Sequence, residues 1–189
     1  MNMPTSRRPI YVALLRGVNL GPHKRMTMEK LRGSFEALGF ESVQTYIQSG
    51  NVVFQAGKAS HTSLRKKIEE RIVLDFGFAA PVIIRTHEEM REAIAKNPFL
   101  KRRGIALTKL HVIFLADAPE SSVAEALKSL TILPDESCCV GREIYLHLPN
   151  GMGKSSMMNN ALDRKHLKVA TTRNWNTVNA ILELCQECG

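Results

Sequence analysis

The chain has 189 residues, 44% hydrophobic and 23% charged, an ordinary balance for a globular protein. Its 26 Lys and Arg against 18 Asp and Glu leave a formal net charge of +8, which favours an anionic partner: nucleic acid, a nucleotide, another phosphorylated molecule or an acidic protein. No apolar run approaches the ~20 residues of a membrane span, and Met1 to Pro9 lacks the apolar stretch of a signal peptide. Membrane insertion and export are therefore not expected, and the expected location is the cytoplasm.

In chain order, Ile10 to Leu15 reads as a strand, followed by the polar, Gly-punctuated loop Arg16-Gly17-Val18-Asn19-Leu20-Gly21-Pro22-His23-Lys24-Arg25. Thr27 caps a helix with Met28, Leu31, Phe35 and Leu38 at helical spacing, and Gly39 ends it. Val43 to Gln48 alternates polar and apolar residues, and Ser49-Gly50-Asn51 turns it into Val52-Val53-Phe54, a hairpin. A helix with Leu64, Ile68, Ile72 and Phe76 on one stripe follows, then a strand from Pro81 to Arg85. Thr86-His87-Glu88-Glu89 has capping-box spacing for a trailing helix through Lys96, ended by Asn97-Pro98.

The same order recurs after the basic linker Lys101-Arg102-Arg103-Gly104. A strand over Leu110 to Leu115, a helix over Pro119 to Leu130, strands over Ser137 to Val140 and Glu143 to Leu148, a helix near Ser155 to His166, a strand over Lys168 to Thr172 and a last helix from about Asn176 to Cys188 are expected. The ends of the two halves echo each other, Val82 to Thr86 against Val169 to Arg173, each running into a helix. The expected fold is therefore α+β: a tandem duplication of two ferredoxin-like βαββαβ subdomains, each with a trailing helix, over residues 1–100 and 101–189.

This topology, with strand order 4-1-3-2, places two polar clusters. In the first half the loop after the first strand and the hairpin turn share one sheet end, which gathers Arg16, Gly17 and Asn19 with Ser49, Gly50 and Asn51. The cluster either binds a ligand anion through side chains and backbone amides or braces one loop on the other. In the second half Gly151-Met152-Gly153-Lys154-Ser155 precedes an expected helix start, where free N–H groups favour an anion. Leu148 stands where a P-loop needs glycine, which excludes a Walker-type site. Arg173, Asn174, Trp175 and Asn176 follow the fourth strand at the same sheet end, so the two segments either face one cleft for a phosphate on a flat ring or serve as core anchor and helix cap.

The four cysteines fall as Cys138-Cys139 and Cys185-x-x-Cys188. Neighbouring residues of a strand point to opposite faces, and the second pair lies at a helix end without a knuckle turn. No metal and no cofactor are expected.

Several stretches, taken together, resemble the bacterial domain-of-unknown-function family 1697. They are Tyr11 to Asn19, Thr45 to Phe54, Asn97-Pro98-Phe99, Ile144 to Gly151 and Thr171 to Val178. The resemblance implies two α+β subdomains similar to ferredoxin-like units and carries no catalytic assignment. Pro22 stands where family members often have a second glycine.

Three functions remain open on the sequence. One is an anion-binding module with nucleic acid as ligand, suggested by basic clusters at Lys24-Arg25, Arg65-Lys66-Lys67, Lys101-Arg102-Arg103 and elsewhere, with Tyr11, Tyr46, Tyr145 and His147 as the available stacking groups. Another is an enzyme or sensor for a phosphorylated or nucleotide-like small molecule, for which His147 is the nearby general-base candidate. The third is a protein-interaction module.

Overall fold

A computed structural model describes residues 8–127, 131–157 and 169–188. The elements are β1 (Ile10–Leu15), α1 (Met28–Glu36), β2 (Glu41–Tyr46), β3 (Asn51–Gln55), α2 (His61–Phe76), β4 (Val82–Thr86), α3 (His87–Ala95), β5 (Leu110–Leu115), α4 (Ser121–Leu127), β6 (Thr131–Ile132), β7 (Asp135–Val140), β8 (Glu143–His147), β9 (Ala170–Asn174) and α5 (Trp175–Glu187). They form a mixed α+β protein with two antiparallel sheets, consistent with a duplicated arrangement. The helix expected near Ser155 to His166 lies mostly outside the described residues.

The first sheet has the order β2-β3-β1-β4, with β3 and β4 both antiparallel to β1. The second runs β6-β7-β8-β5-β9, the same central order with one extra edge strand. That two-residue strand, pairing Thr131 with Glu136 and Ile132 with Asp135, has no counterpart in the first half and was not expected. Two strands also sit later or start earlier than the expected ones: β7 begins at Asp135, not Ser137, and β9 reaches Asn174, not Thr172.

Strand alternation gives each sheet two distinct faces. Tyr11, Ala13, Leu15, Val52, Phe54, Val82 and Ile84 of the first sheet pack with Leu31 and Phe35 of α1 and Leu64, Ile68 and Ile72 of α2. Phe54 is the hub, stacked on Tyr11 and Phe40 and met edge-on by Phe35. Rings of this size each stabilise the fold by about 1.5–3 kcal/mol when fully buried.

The opposite face is covered too: Val12, Leu14, Val53, Ile83 and Arg85 are all at most 1% exposed. At its edge Gln55 donates to the Cys188 carbonyl at 2.6 Å and the Cys188 thiol donates to the Ser42 carbonyl at 3.5 Å. In the second sheet Ile113, Leu115, Ile144 and Leu146 form one core face, and on the other Tyr145 donates to the Ala93 carbonyl at 2.7 Å.

The chain thus packs as two units, residues 1–90 with 180–189 and residues 91–179. The division differs from the expected 1–100 and 101–189 because both trailing helices are split. The last turn and a half of α3 belongs with the second sheet, while the last part of α5 belongs with the first.

Candidate functional site

The first polar cluster assembles. Gly17, Asn19, Gly21 and Lys24 all adopt left-handed φ (+68°, +55°, +76° and +53°), which curls the loop after β1 back on itself. Glycine and asparagine tolerate this conformation most readily, and Lys24 is the exception among the four. Asn19 then fixes the curl from inside: its Nδ2 donates to the Met26 carbonyl at 2.9 Å and to the Gln48 carbonyl at 2.8 Å, and its Oδ1 accepts from Met26 N at 2.8 Å. One side chain thus ties the loop to the start of α1 and to the β2–β3 hairpin.

The hairpin is held in turn by Asn51, 1% exposed, whose Nδ2 donates to the Tyr46 carbonyl and to Ser49 Oγ. Gly50 packs so closely that a Cβ there would lie 2.7 Å from Leu15 Cβ and from Val18 Cγ2. Asn19, Ser49, Gly50 and Asn51 therefore serve as loop-to-loop bracing, the second of the two roles open on the sequence. Arg16 and Gly17 stand on the same loop without lining the space that this bracing creates.

That space is an open pocket of about 430 Å³ lined by Asn19, Gly21, Arg25, Met26, Thr27 and Gln48. The Arg25 guanidinium and the Gln48 carboxamide have no hydrogen-bond or ion-pair partner among the described residues. Both are exposed at the mouth. Thr27 caps α1, so the positive end of that helix opens toward the same place. Ile47, at the hairpin tip, has φ +47° and is 50% exposed, and Leu20 is 75% exposed. A β-branched residue at positive φ is strained, and such strain collects at functional sites. Arg25 and Gln48 were missed by sequence reading. The signal available was the pair Lys24-Arg25 closing a glycine loop.

The second cluster does not assemble as expected. Its two segments do share a sheet end, since His147 pairs with Leu110 and Asn174 with His111. But Met152–Lys154 is a 3-10 turn in which the Lys154 amide donates to the Gly151 carbonyl and the Ser155 amide to the Met152 carbonyl. Those donors are already used. Ser155 is fully buried, and its Oγ donates to Asp135 Oδ2 at 2.7 Å, an acid that would repel a phosphate. Gly151 (φ +84°), Gly153 and the exposed Lys154 remain on a turn.

Arg173 lies inside the β9 ladder opposite Val112, 7% exposed, donating to Thr171 Oγ1 and the Thr172 carbonyl. Burial pulls its pKa down to about 10. Trp175 is 3% exposed, a core anchor, and Asn174 caps α5 by accepting from Thr177 N. Asn176 is exposed on the first turn of α5. The expected cleft between Lys154 and Arg173 is thus replaced by a buried arginine and a helix cap, because β9 runs two residues further than its sequence suggested.

A third arrangement was not foreseen. Glu136 of β7 accepts from Arg102 at 2.6 Å and from His147 Nδ1 at 3.1 Å, while the Phe99 ring lies against His147 and under Arg102. Arg102 above all, and His147 less, hold the Glu136 carboxyl below its ordinary 4.5 against the opposing effect of burial. A carboxyl whose folded pKa is depressed stabilises the fold above its unfolded pKa and loses that contribution as pH falls through the folded value. Arg102→Ala is accordingly expected to shift the Glu136 titration upward toward 4.5, read by carboxyl-carbon NMR. It should also raise the pH at which the second unit begins to loosen in acid. A titration that does not move would mean that Arg102 contributes no field at Glu136.

Among the described residues no group of His, Cys, Asp and Glu is placed to hold a metal ion. Burial first, and the neighbouring Cys188 second, push the Cys185 thiol up to about 12, which keeps it an unreactive thiol at neutral pH. No helix among the described residues is long and apolar enough to cross a membrane.

The fold has a solved relative. The conserved bacterial protein SP0830 from Streptococcus pneumoniae superposes with a TM-score of 0.76 over 94% of this chain and 98% of its own, at 22% identity. No curated protein matches the chain. Residues 9–145, which span the Asn19 loop and its hairpin, match the family described as a protein of unknown function, DUF1697, and the chain belongs to that family.

Proposed function

We propose that the protein is an anion-binding module and that its site is the pocket between the β1–α1 loop and the β2–β3 hairpin. The observation that carries this reading is the Arg25 guanidinium: it lines a pocket of about 430 Å³ beside the Gln48 carboxamide and has no partner among the described residues. Pockets of about 300 Å³ and above accommodate small ligands, and a guanidinium left unpaired by the described residues is ready for a phosphate or carboxylate. The net charge of +8 draws such ligands in.

Phosphate-bearing ligands fit best, nucleic acid among them. Each unit is read as a ferredoxin-like βαββαβ, a fold that hosts RNA binders. Here, though, Tyr11 and Tyr145 are buried at 3% and 0% exposure and both faces of the first sheet are covered, so a nucleic acid would be met by loops and not by stacking on an open sheet. An enzyme or sensor at Lys154 and Arg173 loses its support with the burial of Arg173.

The test is calorimetric titration of the wild type and Arg25→Ala with inorganic phosphate, nucleoside monophosphates and short oligonucleotides. Removal of one charge-assisted contact is expected to weaken binding roughly 10- to 150-fold with no change in melting temperature. Equal affinity of the two proteins for every probe would overturn the reading.

A further inference from the structure

Two carboxamides line the pocket beside Arg25, and they differ in what they have left to offer. That of Asn19 is committed to backbone groups of Met26 and Gln48 through three hydrogen bonds. That of Gln48 has no partner among the described residues, because only the backbone carbonyl of Gln48 is engaged, by Asn19. A free carboxamide sets an acceptor, Oε1, beside a donor, Nε2, in one plane. A group that completes both at once carries a donor next to an acceptor on a flat edge, and every nucleobase has such an edge.

The charges favour one phosphate over a chain of them. Arg25 is the one cation among the described residues that line the pocket. Its neighbour Lys24 is tied elsewhere, with Nζ donating to the Ala79 carbonyl at 3.1 Å. Glu29, in the first turn of α1, sets a negative charge at the helix end that opens here. A single guanidinium and a helix end offset by a carboxylate suit a single phosphate group. At roughly 30 Å³ for each water-sized group, however, a phosphate alone leaves most of the pocket's volume of about 430 Å³ unfilled. The ligand therefore has a body as well as a phosphate, and the unpartnered polar group that meets this body is the Gln48 carboxamide.

We infer that the ligand is a nucleotide unit with a single phosphate, the phosphate at Arg25 and the edge of the base on the Gln48 carboxamide. The inference rests on the anion-binding reading and adds the class of molecule. Two sources share this chemistry: a free nucleoside monophosphate and one nucleotide of a single strand.

The experiment titrates the full chain with inorganic phosphate, ribose 5-phosphate, the four ribonucleoside 5′-monophosphates, adenosine 5′-triphosphate and tetranucleotides, in wild type, Arg25→Ala and Gln48→Leu. The last change sits on an exposed side chain and keeps the carbonyl that Asn19 bonds. Wild type is expected to bind at least one monophosphate roughly 5- to 150-fold more tightly than ribose 5-phosphate, the factor for a bidentate contact to a base. Gln48→Leu is expected to erase that preference and leave ribose 5-phosphate unchanged, whereas Arg25→Ala weakens every probe and keeps the preference. A tetranucleotide that binds more tightly than its monophosphate, with the same dependence on Gln48, assigns the ligand to a strand. One that binds no better assigns it to the free nucleotide. Equal binding of ribose 5-phosphate and every monophosphate, or a preference that Gln48→Leu retains, overturns the inference while the anion reading stands. So does adenosine 5′-triphosphate binding more tightly than its monophosphate. Absence of binding by every probe, or equal affinity of wild type and Arg25→Ala for all of them, overturns both.

Discussion

Gly50→Ala is expected to destabilise the first unit by about 2–4 kcal/mol, measured as the loss of unfolding free energy in urea. Two costs add. The residue has φ +71°, where a side chain costs roughly 1–2 kcal/mol. The new Cβ would also meet Leu15 Cβ and Val18 Cγ2 at 2.7 Å, closer than carbon atoms tolerate, and neither atom is the free end of a flexible chain. Leu15 N donates to the Gly50 carbonyl at 2.8 Å, so the strand cannot draw back without breaking that bond. Gly39→Ala is the control: its φ is +77°, but nothing lies within 4 Å of its added Cβ. It should show only the backbone cost, roughly half the effect. Equal losses in the two variants would mean that the hairpin shifts freely and that Gly50 is no packing constraint.

The contrast between these glycines shows what was legible in the sequence. Glycine spacing announced turns at 39 and 50, and local chemistry is enough for that. Which of them is pressed against a neighbouring strand depends on a contact with Leu15, 35 positions away, and no local pattern reports it. The same limit explains the two arginines. The echo between Val82–Thr86 and Val169–Arg173 was visible, yet the ladders pair Arg85 with Val12 and Arg173 with Val112, so the equivalence is Arg85 to Arg173, one residue out from the apparent alignment. In a strand, a slip of one residue turns every side chain to the other face.

Thus Arg173, expected beyond the strand end and facing solvent, stands within it on a covered face. Its first-half counterpart behaves alike: Arg85 is fully buried and donates to the Ile84 carbonyl at 3.0 Å, as Arg173 does to Thr172 at 2.9 Å. Capping survived the slip, because Thr86 accepts from Glu89 N and Asn174 from Thr177 N, each at the residue after its arginine. Caps are read from a few neighbouring residues. Burial of a charge is decided by what covers the face, which no run of neighbouring residues reports.

Asn19 is where loop chemistry and the proposed function meet, and its substitution is expected to have the larger functional effect. Its carboxamide makes three hydrogen bonds to backbone groups of Met26 and Gln48, and its φ is +55°. Asn19→Gly keeps access to that conformation and removes the bonds, for a loss of about 1.5–4.5 kcal/mol at about 0.5–1.5 kcal/mol each. Asn19→Ala adds the left-handed penalty, about 1 kcal/mol more. Both variants release the loop from the hairpin, so Arg25 and Gln48 no longer share a preformed pocket. Phosphate affinity should fall on the order of tenfold in each, since ordering the loop then opposes binding. Asn19 touches no ligand in this account and acts by positioning. The distinguishing readout is therefore hydrogen exchange of the Met26 amide, which should accelerate in both variants while the β1 and β3 amides stay protected. If the Met26 amide and phosphate affinity are both unchanged in Asn19→Gly, the loop is held by other contacts and the pocket does not depend on Asn19.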